Sequence, residues 1–338
     1  MSKLLLVGES YPVFSCRAAG NLKIAEELRE AGHEVYLLSR SWCTVTQENF
    51  YGDAGMLCNA YPFKKRFFAD AVQLRATGTE LFTAMLGLCI QILEQEQIDA
   101  VVFSDPLSFL PIAECCRSRF GIPCFLFLFD EANDARQLFD DYMFPVFEHG
   151  LRAFDRIFTF SSCRQVLSET FHYPEENIIS CLPYSCPERG PDVPADVRSS
   201  VCVLTEPFSF RNARQALSCA KQSFSTLCGS VFLCTPNGSG DAAGIGTEPD
   251  CCVAPGQVPS EALVVFASEL ITPHPIGTDR LLLALSHGRI PVIGEQSLAR
   301  FRPLVRESSP LGDYLAVRQL SLPGRNVAAE LTSYLSAK

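Results

Sequence analysis

At 338 residues the chain has the length of two ordinary domains, and with 47% apolar residues each half can bury its own core. Its 38 acidic against 28 basic residues give a formal charge of −10, which excludes a general nucleic-acid binder, because a polyphosphate would be repelled rather than neutralised. Sixteen cysteines would suggest a disulfide framework in a secreted chain. Against that, residues 1–10 run straight into a strand pattern instead of a signal peptide, and Cys89, Cys124, Cys202 and Cys234 sit inside apolar runs as small hydrophobes. There is no CxxC and no paired-histidine motif, so no metal site is expected, and a reducing cytoplasm is the expected compartment. The longest apolar helix candidate, 81–93, is too short to span a bilayer.

In chain order, 3–7 reads as a short apolar strand, 8–20 as a loop and 21–31 as a helix. That helix is expected to turn Leu22, Ile24, Ala25 and Leu28 inward and Glu26, Glu27, Arg29 and Glu30 outward. Gly32 ends it and 35–39 forms the next strand, which makes a βαβ unit with a right-handed crossover. The run FKKRFF at 63–68 is the one strong basic-aromatic cluster. It reads as the start of a surface helix, or as a peripheral contact with an anionic membrane through Lys64, Lys65 and Arg66. A helix over 81–95 follows, then a strand over 100–103 ending in Ser104 and Asp105, and a helix over 109–120 stopped by Gly121. An all-apolar strand over 123–129 ends in Asp130 and Glu131. Strands over 156–160 and 178–182 flank a helix running to Phe171. Continuous apolar strands between amphipathic helices predict a parallel sheet covered on both faces.

Prolines 183, 187, 191 and 194 with Gly190 mark a linker, so the chain divides into 1–183, a linker at 184–200, and a second domain at 201–338 whose last helix can pack back on the first. The second half restarts with a strand over 201–205, a helix over 212–224 and a strand over 230–234. A Gly- and Ser-rich loop follows at 235–250. Next come a helix over 259–265, a short strand near 270–272, a helix over 278–287, a strand over 290–293 and a final helix from Asn326. Two α/β domains in this order suit a ligand held in the cleft between them.

Three segments sharpen that reading. The opening KLLLVGESYPVFSCRAAGNLKIAEELREAGHEVYLLS, the segment FDRIFTFSSCRQVLSETF and the segment PIGTDRLLLALSHGRIPVIGE resemble, in this order, three signatures of family 4 glycosyltransferases. The resemblance implies an α/β chain of two Rossmann-like domains facing a cleft, the GT-B fold. It also implies transfer of a sugar from a nucleotide-diphosphate sugar to a hydroxyl acceptor, a glycan or a lipid-linked one. No metal or other cofactor is implied, since Arg or Lys can neutralise the leaving diphosphate.

Carried over residue by residue, Gly277 and Thr278 open the helix whose backbone N–H groups would hold the diphosphate. Arg280 would offset the carboxylate of Asp279, and Arg211, with Arg214 beside it, would hold phosphate after the first strand of the second domain. Gly8 and Gly20 would frame the loop beneath the donor, letting the backbone approach a ligand closely. Asp130 is the candidate general base for the acceptor hydroxyl, with Asp105 a second candidate by the same strand-end logic. Each has a plainer reading: Thr278 or Asp279 as a helix cap, Arg211 on a solvated helix face, Asp130 as a capping carboxylate. His274 and His287 flank the donor-like segment. Two positions depart from the family: Leu283 stands where a Glu contacts the donor ribose, and Pro275 lies near the position of the sugar-side acid. Two alternatives therefore stay beside transfer. One is a degenerate GT-B protein that binds a ligand or partner without catalysis, and the other is a sugar epimerase of GT-B shape.

Overall fold

The computed structural model describes residues 1–8, 16–41, 63–70, 78–104, 110–129, 144–185, 200–204, 210–234, 252–253, 258, 261–271, 276–322 and 324–337. The first half is a parallel sheet flanked by helices. Its strands are β1 (Lys3–Val7), β2 (Glu34–Ser41), β3 (Phe63–Asp70), β4 (Ala100–Phe103), β5 (Cys124–Leu128), β6 (Arg156–Thr159) and β7 (Ile178–Ser180), in the order β3-β2-β1-β4-β5-β6-β7. Its helices are α1 (Cys16–Glu30), α2 (Gly78–Glu96), α3 (Leu110–Phe120), α4 (Phe144–Leu151) and α5 (Ser161–Gln165), the last running into a wider turn over Val166–Thr170.

The strands are apolar at consecutive positions because both faces are covered. Leu5 and Val7 of β1 face a core shared with Met85, Cys89 and Ile92 of α2, while Leu4 and Leu6 face a second core shared with α1. Cys89, Cys124, Cys202 and Cys234 are all buried, as small apolar residues. The run FKKRFF is a strand, not a helix: β3 pairs in parallel with β2, with Tyr36 opposite Lys65 and Leu37 opposite Arg66. Lys64 Nζ bonds Glu34 Oε1 at 3.1 Å, and this partner holds the Glu34 carboxyl below its ordinary value. The side chains of Lys65 and Arg66 lie outside the described residues.

The second half contains β8 (Val201–Leu204), α6 (Phe210–Phe224), β9 (Val231–Cys234), β10 (Cys252–Val253), β11 (Leu263–Phe266), α7 (Ala267–Ile271), α8 (Thr278–Ser286), β12 (Ile290–Ile293), α9 (Glu295–Phe301), β13 (Val305–Leu311) and β14 (Tyr314–Leu320). The sheet order is β10-β9-β8-β11-β12-β14-β13. Strands β8 to β12 are parallel, and β14 runs antiparallel to β12 with β13 as its hairpin partner. Two expectations are corrected here. The segment expected as a helix over 259–265 holds β11, the strand beside β8, and of the strand expected near 270–272 the described residues 270 and 271 are the end of α7. Leu263, Val264, Val265 and Phe266 are buried on both faces of the sheet, which is strand behaviour.

The last helix, α10 (Val327–Ser336), belongs to the core of the first sheet. Val327, Ala328 and Leu331 share a cluster with Leu4, Leu22 and Phe125, and the Tyr334 ring meets Phe125 edge-on with centroids 5.3 Å apart. Asn326 caps it, accepting from Ala329 N. Leu182 receives the returning chain, its N–H bonding Arg325 O at 2.9 Å and its carbonyl accepting from Val327 N at 2.7 Å.

Helix α1 is covered from several sides as a result. Glu26 and Glu27, expected outside, are 2% and 6% exposed, whereas Arg29 and Glu30 are exposed as expected. The expectation failed because α8 and α10 both pack on α1, and periodicity within one helix does not register a distant segment that covers its polar face.

Candidate functional site

In a doubly wound sheet, ligands bind beyond the carboxyl ends of the strands at the point where strand order reverses. Here that point lies between β1 and β4 in the first sheet and between β8 and β11 in the second. At the first, Gly8 N donates to Leu38 O at 3.1 Å and Ser104 N to Val7 O at 3.2 Å. Asn21 of α1, 2% exposed, donates from Nδ2 to Ser104 Oγ at 2.9 Å. A Cβ on Gly8 would collide with both Ser104 Oγ and Asn21 Nδ2. The close approach expected of a ligand at Gly8 is therefore made by two side chains of the protein itself. Gly20 is likewise no loop residue. It lies within α1, fully covered, and the Tyr184 hydroxyl occupies the space a Cβ would need.

At the second edge, Gly277 is the cap of α8, in extended conformation at φ −70° and ψ 150°. A glycine offers no side-chain acceptor to the first-turn N–H groups, which is the condition for an anion to take them. Thr278, Asp279 and Arg280 form that turn, and the Asp279 carboxylate folds back over the Gly277 Cα. The cap expected at Thr278 or Asp279 is corrected: Gly277 takes the cap position, and no side chain makes the cap hydrogen bond among the described residues. Arg211 opens α6 with its side chain outside the described residues, and Arg214 one turn on is exposed. Asp105 and Asp130 also lie outside the described residues, as do Glu131, His274 and Pro275.

The loop into α8 is held by a carboxylate that the sequence reading missed. Glu269 of α7 accepts from Ile276 N at 3.1 Å and Ser297 Oγ at 2.5 Å through Oε1, and from Gly294 N at 2.5 Å through Oε2. Ser297 Oγ also accepts from Ile276 N at 2.9 Å. One side chain thus ties the end of β11 to the turn before α8 and to the turn after β12. Its signal in the sequence is an acid shortly after a buried strand, the same signal that Asp105 and Asp130 give in the first half. Reading β11 as a helix hid the strand end that Glu269 follows.

Leu283 is 5% exposed and sits with Leu282 in the cluster formed by Leu22, Ile24 and Leu28 of α1. The position that the resemblance assigns to a ribose contact is thus an apolar contact between the two halves. Helix α1 also carries buried polar groups. Lys23 Nζ bonds Glu26 Oε2 at 2.8 Å as a buried pair, and Glu27 accepts from Ser185 N at 2.8 Å and Asn326 Nδ2 at 2.7 Å. Burial raises the Glu27 carboxyl above its ordinary value despite those bonds. His287, next to this contact, meets Leu283 O through Nδ1 at 2.8 Å, so Nδ1 carries the proton and Nε2 is the bare nitrogen. Nε2 is buried without a hydrogen-bond partner among the described residues, and burial pushes His287 down to about 4. Among the described residues no group of three or more His, Cys, Asp or Glu could hold a metal ion, and no helix is long and apolar enough to cross a membrane.

No protein-family model matches the chain, and no curated protein sequence matches it. Solved structures do. UDP-GlcNAc 2-epimerase from Methanocaldococcus jannaschii is similar with a TM-score of 0.53 at 11% identity, over 100% of both chains. Arabidopsis thaliana UGT89C1, complexed with UDP, gives 0.52 at 13% identity over 99% of this chain and 89% of that one. S. aureus MnaA in a co-structure with UDP gives 0.51 at 11% identity over 100% of this chain and 87% of that one. These likenesses are of fold: the chain has the GT-B fold of two Rossmann-like α/β domains. They do not single out family 4.

Proposed function

We propose that this GT-B protein binds a nucleotide-diphosphate sugar and transfers the sugar to a hydroxyl acceptor, a glycan or a lipid-linked one, without a metal. The observation that carries this reading is the α8 turn. It is a glycine-capped helix of a Rossmann-like domain, braced by Glu269 beside the point where the strand order reverses. Its first-turn N–H groups would take the diphosphate, with Arg280 and Arg211 supplying positive charge and Asp279 swinging aside. Asp130, which follows β5, would draw the proton from the acceptor hydroxyl. Gly8 and Gly20 act in this reading by shaping the β1–α1 edge, not by touching the donor. Two structural neighbours hold UDP, which makes uridine the first nucleoside to test.

A second reading, binding without turnover, is favoured by one observation, the burial of Leu283 where the family carries its ribose carboxylate. A thermal-shift panel of nucleoside diphosphates and nucleotide-sugars separates the readings. A ligand at one hundred times its dissociation constant stabilises the native state by about 2.7 kcal/mol. Incubation of a stabilising nucleotide-sugar with acceptors then asks what becomes of the sugar. Transfer with release of the nucleoside diphosphate supports the proposal. Inversion at a sugar carbon without transfer makes the protein an epimerase, and an unchanged sugar leaves the binding reading. No stabilisation by any nucleotide overturns transfer and epimerisation and leaves a degenerate GT-B protein that binds another ligand or a partner.

A further inference from the structure

The amino ends of β5, β6 and β7 carry a site at the edge of the first sheet opposite to the one where GT-B proteins are expected to bind their donors. A cleft of about 390 Å³ opens there, with Phe154, Tyr173, Pro174 and Tyr334 of α10 in its lining. A smaller cleft of about 300 Å³ adjoins it, sharing Arg117 and Asp155. Both are within the range of small-molecule sites.

Three guanidinium groups from three places in the fold line the larger cleft: Arg117 of α3, Arg152 after α4 and Arg156 of β6. Two are already fixed. Arg117 donates to Arg152 O at 2.6 Å and lies 3.7 Å from Asp155 Oδ1. Arg156 donates to Glu176 O at 3.2 Å and stacks on the Tyr334 ring at 4.7 Å from its centroid. The third is uncommitted: the Arg152 guanidinium makes no hydrogen bond or ion pair among the described residues, and neither does the carboxamide of Asn177 in the same lining. Asp155, the one acid in the lining, is pinned inward, its Oδ2 accepting from Cys124 N at 2.8 Å. Three positive charges against one negative leave a surplus in a protein whose formal charge is −10.

We infer that this cleft is a binding site for the phosphate group of a small phosphorylated metabolite. A phosphate monoester is a dianion at neutral pH, which matches the surplus, and its oxygens suit the planar fork of arginine. Donors fixed beforehand lower the ordering cost of binding. Pro174 and Tyr334, both reached by solvent in the lining, give the ester's organic body an apolar contact. The site is independent of the donor reading, since it lies on other residues.

The test is calorimetric titration of the full chain at low ionic strength with two probes, inorganic phosphate and glucose 1-phosphate. It is run on wild type, Arg152→Glu and Gly277→Pro. Arg152 is exposed and its side chain bonds none of the described residues, so the charge reversal is expected to leave the fold intact, which a melting curve verifies. The expected result is binding of the ester to wild type and to Gly277→Pro, weakened at least tenfold in Arg152→Glu. Tighter binding of the ester than of phosphate supports an organic body in the cleft. Equal binding of the two keeps the anion site and assigns it to free phosphate. Equal binding to wild type and Arg152→Glu overturns the inference, as does a dissociation constant weaker than about 10 mM for both probes.

Discussion

Leu283→Glu tests how the two halves meet. If the family's ribose contact were simply missing from an open cleft, restoring the glutamate would be harmless and would raise affinity for a nucleoside diphosphate. The structure predicts the opposite, because Leu283 is 5% exposed against α1. Losing the burial of one leucine costs about 2 kcal/mol. The new carboxylate must also be desolvated. A two-unit rise in its pKa, modest for a buried acid, adds about 3 kcal/mol at 1.36 kcal/mol per unit. The sum is a loss of about 5 kcal/mol at pH 7. The desolvation part is present above the unfolded pKa, where the acid is ionised in the unfolded chain. It is relieved as pH falls and the folded-state carboxyl takes up its proton. Urea unfolding followed by circular dichroism at pH 7 and pH 5, with Leu283→Gln as the uncharged comparison, reads both parts. A Leu283→Glu protein as stable as wild type, with a gain in uridine diphosphate affinity, would refute the packing argument and reopen the position as a ligand contact.

Two further outcomes follow from the same contact and from the β1 edge. His287 is held neutral, with its pKa lowered to about 4 from the ordinary 6.5. The unfolded chain therefore takes up a proton between about pH 6.5 and 4 that the folded one refuses, so stability falls as pH drops through that window and levels off below it. His287→Gln should flatten this slope relative to wild type, whereas parallel pH–stability curves would disprove the assignment. The comparison cancels Glu27, whose raised carboxyl acts in the opposite sense as pH falls. Gly8→Ala should destabilise by about 1–3 kcal/mol through overpacking against Ser104 and Asn21. Ser104→Gly in the same chain should recover part of that loss. Strict additivity in a double-mutant cycle would show that the two residues do not press on each other.

The parts of the fold legible in the sequence were those where one local signal decides. Strands 3–7, 100–103 and 290–293 are bounded by polar or turn residues and coincide with β1, β4 and β12. Gly32 and Gly288 end α1 and the α8 turn with positive φ, at 89° and 68°. The second domain misled at LVVF, a run so short and wholly apolar that periodicity cannot separate a buried strand from a buried helix. The hairpin β13–β14 escaped because VRESSPL has no apolar alternation, as befits a largely exposed edge strand. Of the candidate site, Gly277 and Thr278 as the opening of a helix and Leu283 as an anomaly were visible in the sequence, whereas the cap was expected one or two residues later. Why Leu283 is tolerated was not, because the answer lies on α1, far away in the chain. The Arg117, Arg152 and Arg156 cleft was unreadable for the same reason: its three cations come from separate elements and meet only through the sheet order.

The return of the chain to Leu182 has a consequence in time. The first sheet is translated through β7 early, yet the core beside Leu4, Leu22 and Phe125 is completed only by Val327, Ala328 and Leu331. At ordinary rates of synthesis, the intervening residues take on the order of ten seconds to emerge from the ribosome. During that interval this side of the nascent sheet is covered by α1 alone, without α10, and the buried pair of Lys23 and Glu26 has yet to meet the segments that enclose it. The first half of this protein is thus the first to be made and among the last to be finished. A chaperone that holds the nascent chain would act on the side of the sheet that α10 later closes.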